Sequence, residues 1–270
     1  MDTVNILFLT SVIIGVLLLL LVNKDKCTEF FEQDSCLRRL DHLDIYLINL
    51  DRNEDRLDWF VKQYMESDLN HKKFKRVVAV DGKKLNIADY VTKNALKEIQ
   101  QIEKTGYRTK HYQLTRGAIG CYLSHLKTYK MIADGESEFG LIFEDDVKLD
   151  PNFLLKMNKV LQSIPNDWDM LLLGCYCINF KKMPIYSDVQ KFFLLHCYLV
   201  KKESAKKMYD MLINMPIKQQ IDSELSDMIL DDKLVVYCVN ESICLQNNAF
   251  ATDIQTPLKV VSGIDPYVHV

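Results

Sequence analysis

The sequence predicts an α/β domain whose central sheet is mostly parallel and carries helices on both faces. Short apolar runs, typical of buried strands, alternate along the chain with longer segments in which apolar residues recur at i, i+3 and i+4. Such alternation of strands and helices favours a parallel sheet. The composition is that of an ordinary globular protein, because 48% of the 270 residues are hydrophobic and 26% are charged.

The apolar runs predict where the strands lie. The run 141–143, for example, is short, entirely apolar and ends directly in acidic residues. Strands buried on both faces of a parallel sheet show continuous apolar runs of this kind. We expect strands at 45–50, 76–80, 141–143, 170–173, 192–200 and 234–239.

Segments with helical spacing lie between these strands. In the first of them, Leu57, Phe60 and Tyr64 fall on one face of a helix. Thr115 belongs to a residue type that caps helix N-termini, so it predicts where another helix begins. We expect helices at 53–68, 87–103, 115–133, 151–164, 202–215 and 221–232, and no clear periodicity after 239.

The amino terminus predicts a membrane anchor. Residues 4–22 are almost entirely apolar, and this length suffices for one transmembrane helix. A cleaved signal peptide is the alternative, but the run lacks a basic leader and a small-residue cleavage site. We therefore expect a transmembrane anchor over 1–23, a juxtamembrane stalk over 24–42 and a single domain over 43–270.

Charge and cysteine content narrow the classes of ligand. With 34 basic and 37 acidic residues the net charge is −3, so we do not expect a nucleic-acid partner. The eight cysteines are even in number, but Cys175 and Cys177 lack the C-x-x-C spacing of zinc or redox motifs. We expect buried free thiols in the domain, and a pairing of Cys27 with Cys36 only if the domain is luminal.

The strongest chemical signal is the acidic triplet Glu144–Asp145–Asp146, which directly follows a predicted buried strand. Adjacent carboxylates repel one another and are costly to remove from water, and a bound cation offsets that cost. Carboxylate oxygens suit Mg²⁺ or Mn²⁺, whose sites are often completed by the phosphates of a substrate. The alternative is a solvated acidic turn or the charged start of the next helix.

Arg52 and Arg56 form a second candidate site. They lie four residues apart across the start of a helix, so both can reach the same edge of the sheet. Helix N-termini attract anions, which favours an anionic ligand here. Surface ion pairing with Asp55 is the alternative.

The helix that begins after Thr115 contains a third candidate site. Gly117 and Gly120 each weaken it by roughly 1 kcal/mol relative to alanine, and close approach of a ligand or of neighbouring backbone would explain them. Ser124 and His125 follow in the same helix and are candidates for hydrogen bonds to a nucleotide or sugar. A buried structural histidine is the alternative for His125.

Taken in order, these segments resemble glycosyltransferase family 25, the lipooligosaccharide and collagen galactosyltransferase family. The resemblance extends over about residues 45–254 and depends on the ordered set of motifs. The matching pieces are Ile48-Asn-Leu-Asp-Arg52 with Arg56, Val80-Asp-Gly82, Thr115-x-Gly117-x-Ile-Gly-Cys121-x-x-Ser-His125, Ile142-Phe-Glu-Asp-Asp-Val147, His196-Cys-Tyr198 with Ala205, Ile221-Asp222, and 246–254.

The resemblance implies a GT-A fold and a divalent cation, Mn²⁺ or Mg²⁺, held by an acidic motif of the D-x-D type, here Glu144-x-Asp146. Asp146 would be the metal ligand, with Asp253 or His269 as a further one. Since family members are inverting, a general base is needed, and Asp222 is the candidate. The implied donor-binding residues are Asn49, Arg52, Arg56, Asp81, Gly82, Gly117, Ser124, His125, Glu144 and Asp145.

The implied function is transfer of galactose or glucose from a UDP-sugar to a hydroxyl of a glycan, a lipid-linked saccharide or a hydroxylysine-type protein acceptor. Two alternatives stay open: a catalytically degenerate, membrane-tethered protein that binds nucleotide sugars, and a metal-dependent phosphohydrolase. The side of the membrane also stays open. Lys24, Lys26, Arg38 and Arg39 follow the span and favour a cytosolic domain, whereas anchored sugar transferases commonly face the lumen.

Overall fold

The computed structural model describes residues 42–108 and 112–255. Its strands are β1 (Leu43–Asn49), β2 (Phe74–Val78), β3 (Phe139–Glu144), β4 (Val147–Leu149), β5 (Met170–Lys182), β6 (Tyr186–Lys201), β7 (Val236–Val239) and β8 (Cys244–Gln246). Its α-helices are α1 (Glu54–Glu66), α2 (Lys93–Thr105), α3 (Arg116–Asp134), α4 (Phe153–Leu161), α5 (Lys202–Leu212) and α6 (Ile221–Leu230).

The predicted anchor over 1–23 lies outside the described residues, as does the stalk except for its last position. In the part of the chain that the structure does describe, no helix has the length and apolar character needed to cross a membrane. Cys27, Cys36 and His269 also lie outside it.

The strands form a six-stranded sheet in the order β2–β1–β3–β6–β5–β7 and a small sheet of β4 and β8. In the large sheet β1 pairs in parallel with β2 and β3, and β5 pairs in parallel with β7. Strand β6 lies antiparallel between β3 and β5. Five strands therefore run in one direction, as the prediction of a mostly parallel sheet requires, but β6 makes the sheet mixed.

Helices cover both faces of the sheet, as predicted. On one face, Phe60 of α1 and Phe153 of α4 pack against Phe143 of β3, with ring centroids 5.5 and 5.4 Å apart. The neighbouring residue Ile142 points to the other face, because side chains alternate along a strand. There it belongs to a buried cluster with residues of α3, α5 and α6.

Two predicted helices differ in their bounds. The segment 87–103 divides into a 3₁₀ turn, Ile87–Asp89, and helix α2. Helix α2 begins later than predicted because Thr92 caps its N-terminus. The Thr92 hydroxyl accepts a hydrogen bond from the Ala95 N–H at 3.2 Å. The helix predicted at 151–164 corresponds to α4, which is shorter than predicted. The predicted cap of α3 is confirmed, because the Thr115 hydroxyl accepts from the Ala118 N–H at 3.1 Å.

The hairpin of β5 and β6 is longer than predicted, at 13 and 16 residues. The outer half of the hairpin is largely exposed. Its sequence therefore contains no continuous apolar run from which these parts of the strands could be predicted. Strand β6 also bulges, because the register passes from Gly174↔Cys197 directly to Tyr176↔Phe193. Within this bulge Leu194 has a φ of 74°, the left-handed region that non-glycine residues rarely adopt.

Candidate active site

The candidate site lies at the carboxyl ends of β1 and β3, where ligands bind in open α/β sheets. These strands are parallel neighbours, with Ile48 opposite Glu144. The residues that follow are therefore side by side, and the Asn49 amide donates to Asp145 Oδ2 at 2.7 Å. Local topology thus joins two motifs that are far apart in the sequence.

Asp145 is the central member of the acidic triplet and is paired within the protein. Besides Asn49, it accepts a hydrogen bond from Arg56 NH1 at 3.1 Å. Burial raises the pKa of Asp145, while Asn49 and Arg56 act in the opposite direction. The Asp145 carboxylate therefore links α1, through Arg56, to the end of β3.

Glu144 points to the other side, towards α3. Its Oε1 atom lies 3.0 Å from His125 Nε2, and His125 Nδ1 lies 2.7 Å from the Tyr198 hydroxyl. Burial acts to raise the pKa of Glu144, but the hydrogen bond and charge of His125 outweigh it, so the pKa is lowered. His125 is fully buried, so the structure places it behind the site, where it supports Glu144.

Asp146 is the member with free coordinating capacity. Gln246 donates to its Oδ2 atom at 3.0 Å, whereas its buried Oδ1 atom has no hydrogen-bond partner among the described residues. Burial, followed by repulsion from Glu144, raises the pKa of Asp146 to about 7. Buried polar atoms without partners are rare and call for an explanation such as an ion.

The two arginines bind acidic residues from distant segments instead of Asp55. Arg52 NH2 donates to Asp253 Oδ1 at 2.8 Å, and its NH1 donates to Asp81. Arg56 NH2 lies 3.5 Å from Asp253 Oδ2. Burial acts to raise the pKa of Asp253, but Asn53 and Arg52 outweigh it and lower the pKa. The structure thus pairs Asp253 with arginines in the wall of the site.

Glycines let α3 lie directly against this wall. A Cβ atom on Gly117 would lie 2.0 Å from the carbonyl oxygen of Asp253, and one on Gly82 would lie 1.8 Å from that of Arg116. Close approach of neighbouring backbone therefore explains these glycines. Ser124 is buried and uses its hydroxyl within the protein, accepting from Val80 N–H at 2.8 Å and donating to Gly120 O at 2.6 Å.

These residues enclose an open space of about 680 Å³, which we call the cleft. The structure brings most of the predicted donor and metal residues to it. Asn49 and His125 are not among its lining residues and support it from behind. The predicted residues that line the cleft are Arg52, Arg56, Asp81, Gly82, Gly117, Ser124, Glu144, Asp145, Asp146 and Asp253.

A larger space, which we call the side cavity, adjoins the cleft, because Glu144 and Asp146 line both. Asp222 lies in the side cavity at the start of α6. Its two oxygens accept hydrogen bonds from the backbone N–H groups of Leu194 and Ser223, at 3.2 and 2.7 Å. Burial raises the pKa of Asp222, and these hydrogen bonds oppose the shift.

The structure gives roles to residues for which the sequence had indicated none. Gln246 holds Asp146, and Asn53 donates to Asp253 at 2.7 Å. His196 lines the side cavity, is 3% exposed, and its Nδ1 atom has no hydrogen-bond partner in the described part of the chain. The sequence did contain a signal for His196, because it lies in a predicted strand and begins the matching piece His196-Cys-Tyr198.

Comparison with known proteins agrees with the sequence resemblance. The family model described as "Glycosyltransferase family 25 (LPS biosynthesis protein)" matches residues 42–225. Procollagen galactosyltransferase 2 of Homo sapiens is 36% identical over 136 residues, which are 48% of this chain and 20% of that protein. The chain thus spans about one fifth of the length of the curated relatives that it matches first.

Other relatives cover a similar stretch. A glycosyltransferase 25 family member of Drosophila pseudoobscura pseudoobscura is 33% identical over 151 residues, covering 55% of this chain and 23% of that protein. The inactive glycosyltransferase 25 family member 3 of Homo sapiens is 28% identical over 145 residues, with coverages of 52% and 23%.

Solved structures share only a distant likeness. A Drosophila β1,4-galactosyltransferase 7 mutant, in complex with manganese, UDP-Gal and xylobiose, has a TM-score of 0.37 and 11% identity, covering 77% of this chain and 68% of that one. S. aureus TarS with UDP-GlcNAc has a TM-score of 0.38 and 12% identity, with coverages of 75% and 57%. The family match includes the acidic triplet and the arginine motif, and by it the chain belongs to glycosyltransferase family 25.

Proposed function

We propose that this protein transfers a hexose, galactose or glucose, from a UDP-sugar to a hydroxyl of a glycan, a lipid-linked saccharide or a hydroxylysine-type protein acceptor. The reaction is metal-dependent and inverting, on a GT-A fold. The observation that carries the proposal is Asp146 Oδ1, which is buried without a partner among the described residues where the cleft meets the side cavity. The names of the procollagen galactosyltransferase relatives favour galactose and a protein acceptor.

The residues present fit Mn²⁺ or Mg²⁺, which bind through carboxylate oxygens. Asp146 would hold the ion, with Glu144 beside it. When bound, such an ion neutralises the charge that develops on the nucleoside diphosphate leaving group. Asp145 supports the site, because Asn49 and Arg56 each donate a hydrogen bond to one of its oxygens and hold it in place.

The cleft binds the donor and the side cavity binds the acceptor. Arg52, whose side chain is 36% exposed, presents N–H donors of its guanidinium in the cleft while Asp81 and Asp253 fix its position. Asp222 in the side cavity takes the proton of the acceptor hydroxyl as general base. Its two backbone hydrogen bonds orient the carboxylate without supplying a cation.

The test is a screen of the full chain in detergent against UDP-galactose and UDP-glucose with Mn²⁺, measuring UDP release and sugar transfer. We expect turnover with one of these donors, loss of turnover in EDTA and recovery on adding Mn²⁺. Full activity in EDTA contradicts the metal-dependent reaction. Nucleotide binding without turnover supports the degenerate binding protein, and phosphate release from phosphomonoesters supports a phosphohydrolase.

We also propose that residues 1–23 anchor the domain in a membrane as a single span, on the basis of the apolar run alone. Protease treatment of sealed vesicles tests the orientation. Digestion of the domain in intact vesicles supports the cytosolic side, and protection supports the lumen. Recovery of the whole chain in the soluble fraction contradicts the anchor.

A further inference from the structure

Three cysteines meet on the far half of the sheet, and none of them lines the cleft. Cys175 and Cys177 belong to β5, and Cys238 belongs to β7. The Cys175 sulfur lies 2.9 Å from that of Cys177 and 2.7 Å from that of Cys238. The three sulfur atoms all lie within 4.8 Å of one another.

The fold assembles this cluster from segments that the sequence separates. Strands β5 and β7 are parallel neighbours, and the start of β6 pairs with β7 at Ser187↔Cys238. Cys238 therefore lies where three strands converge. Cys175 and Cys177 lie two residues apart on β5, and side chains at this spacing share one face of a strand, so their sulfurs can meet.

The spacing between the sulfur atoms indicates a polar interaction. Non-bonded carbon atoms pack best at about 3.5–4.0 Å, so sulfur atoms 2.7 and 2.9 Å apart are closer than ordinary packing would bring them. The thiolate is the form of cysteine that binds metal ions.

We propose that Cys175, Cys177 and Cys238 bind one Zn²⁺ ion, with the fourth coordination position open to an external ligand. Zinc favours thiolate sulfur at about 2.3 Å in tetrahedral geometry, which sets sulfurs that share one ion about 3.8 Å apart. The two short sulfur–sulfur distances, 2.7 and 2.9 Å, must therefore open by about 1 Å when the ion binds. This site differs in chemistry from Asp146, because soft thiolates select zinc whereas carboxylates suit Mn²⁺ and Mg²⁺.

The bound ion would tie β7 to β5 at the base of the long β5–β6 hairpin. Cys238 is buried, while Cys175 and Cys177 are partly exposed, so an ion can reach the cluster from the surface. The alternative to zinc binding is a disulfide between Cys175 and Cys238, whose sulfur atoms lie 2.7 Å apart.

The experiment measures zinc in the purified full chain after exposure to Zn²⁺ and removal of unbound ion, by plasma mass spectrometry. We expect about one zinc per chain, and less than about a tenth of that in Cys177→Ser. Cys197→Ala is the matched control, because Cys197 is a buried thiol outside the cluster. Asp146→Asn is the second control, and both controls should retain the zinc.

Zinc that persists in Cys177→Ser, or that disappears in Asp146→Asn, overturns the proposal. So does a wild-type chain in which alkylation under denaturing conditions finds Cys175 and Cys238 joined. A further measurement uses only the wild-type chain and so does not depend on whether the variant folds. Titration with Co²⁺ should give a thiolate-to-cobalt charge-transfer band, and added zinc should abolish that band. Absence of that band also overturns the site.

Discussion

Arg56 and Asp145 form an ion pair inside the wall of the cleft, with NH1 3.1 Å from Oδ1 and side chains that are 11% and 9% exposed. The pair divides the roles of the three adjacent carboxylates. Asp145 has its cation within the protein, and Glu144 is hydrogen-bonded to His125. In the described chain, only Asp146 among the three keeps a buried oxygen without a partner.

We expect Arg56→Ala to lower the free energy of unfolding by about 3–5 kcal/mol, because it leaves Asp145 buried without its cation. The double variant with Asp145→Asn should lose less than the sum of the single losses, by about 0.5–3 kcal/mol. Urea denaturation measures both. Lys206→Ala is the control, since its pair with Asp210 is exposed and worth at most about 1 kcal/mol. Strict additivity would show that the two residues do not stabilise each other.

We expect Asp146→Asn to reduce kcat/KM about 10²-fold or more, because a metal ion supplies several kcal/mol of charge stabilisation. The unfolding temperature should not fall, since Oδ1 makes no hydrogen bond that the substitution would remove among the described residues. Asp150→Asn is a nearby control, because Asp150 pairs with Lys156 away from the cleft and should keep normal turnover. Normal turnover in Asp146→Asn would end the proposed role.

We expect Gly117→Ala to destabilise the protein and weaken binding of UDP. Alanine is the better helix former by roughly 1 kcal/mol, so propensity alone predicts a gain in stability. The added Cβ would instead lie 2.0 Å from the Asp253 carbonyl oxygen and force that segment away from Arg52. Thermal unfolding and calorimetric titration with UDP and Mn²⁺ measure the two effects. A more stable variant with unchanged UDP affinity would contradict the contact.

We expect Asp222→Asn to lower kcat about 10²–10⁴-fold, the usual contribution of a general base. Burial raises the pKa of Asp222, so its protonated, inactive form persists above the ordinary carboxyl range. Turnover in the wild-type chain should therefore rise with pH through that raised pKa, and the variant should lack this rise. Unchanged UDP affinity in the variant would separate the loss of the base from a disturbed cleft. An identical pH profile in both proteins would exclude the assignment.

The sequence predicted the core of the fold because burial on both faces leaves a continuous apolar run. Strands β1 and β3 could be predicted in this way, and the buried face of α1 that carries Phe60 could be predicted from its helical spacing. Strands β4 and β8 have three residues each, too few for any periodicity. The outer part of the hairpin is exposed, so side-chain polarity there carries no strand signal.

The sequence located the residues of the site but not their partners. Parallel strands end at one edge of a sheet, so the motifs after β1 and β3 could be expected to meet. The bonds from Arg52 to Asp81 and Asp253 join segments up to 201 positions apart. Such ion pairs form only where loops bring distant segments together, and the sequence does not show how the loops run. The spacing of residues along the chain offered only Asp55 as a partner for the arginines.

The strip from Ala251 to Ile254 forms one wall of the cleft, although it is among the last described pieces of the chain. Its backbone accepts hydrogen bonds from Arg56 and Thr115, which belong to the first half of the domain. During synthesis the amino-terminal part emerges first and begins to fold first. A growing chain would therefore carry an unfinished cleft until synthesis has passed that strip, and a ligand of the cleft could be captured only after that point.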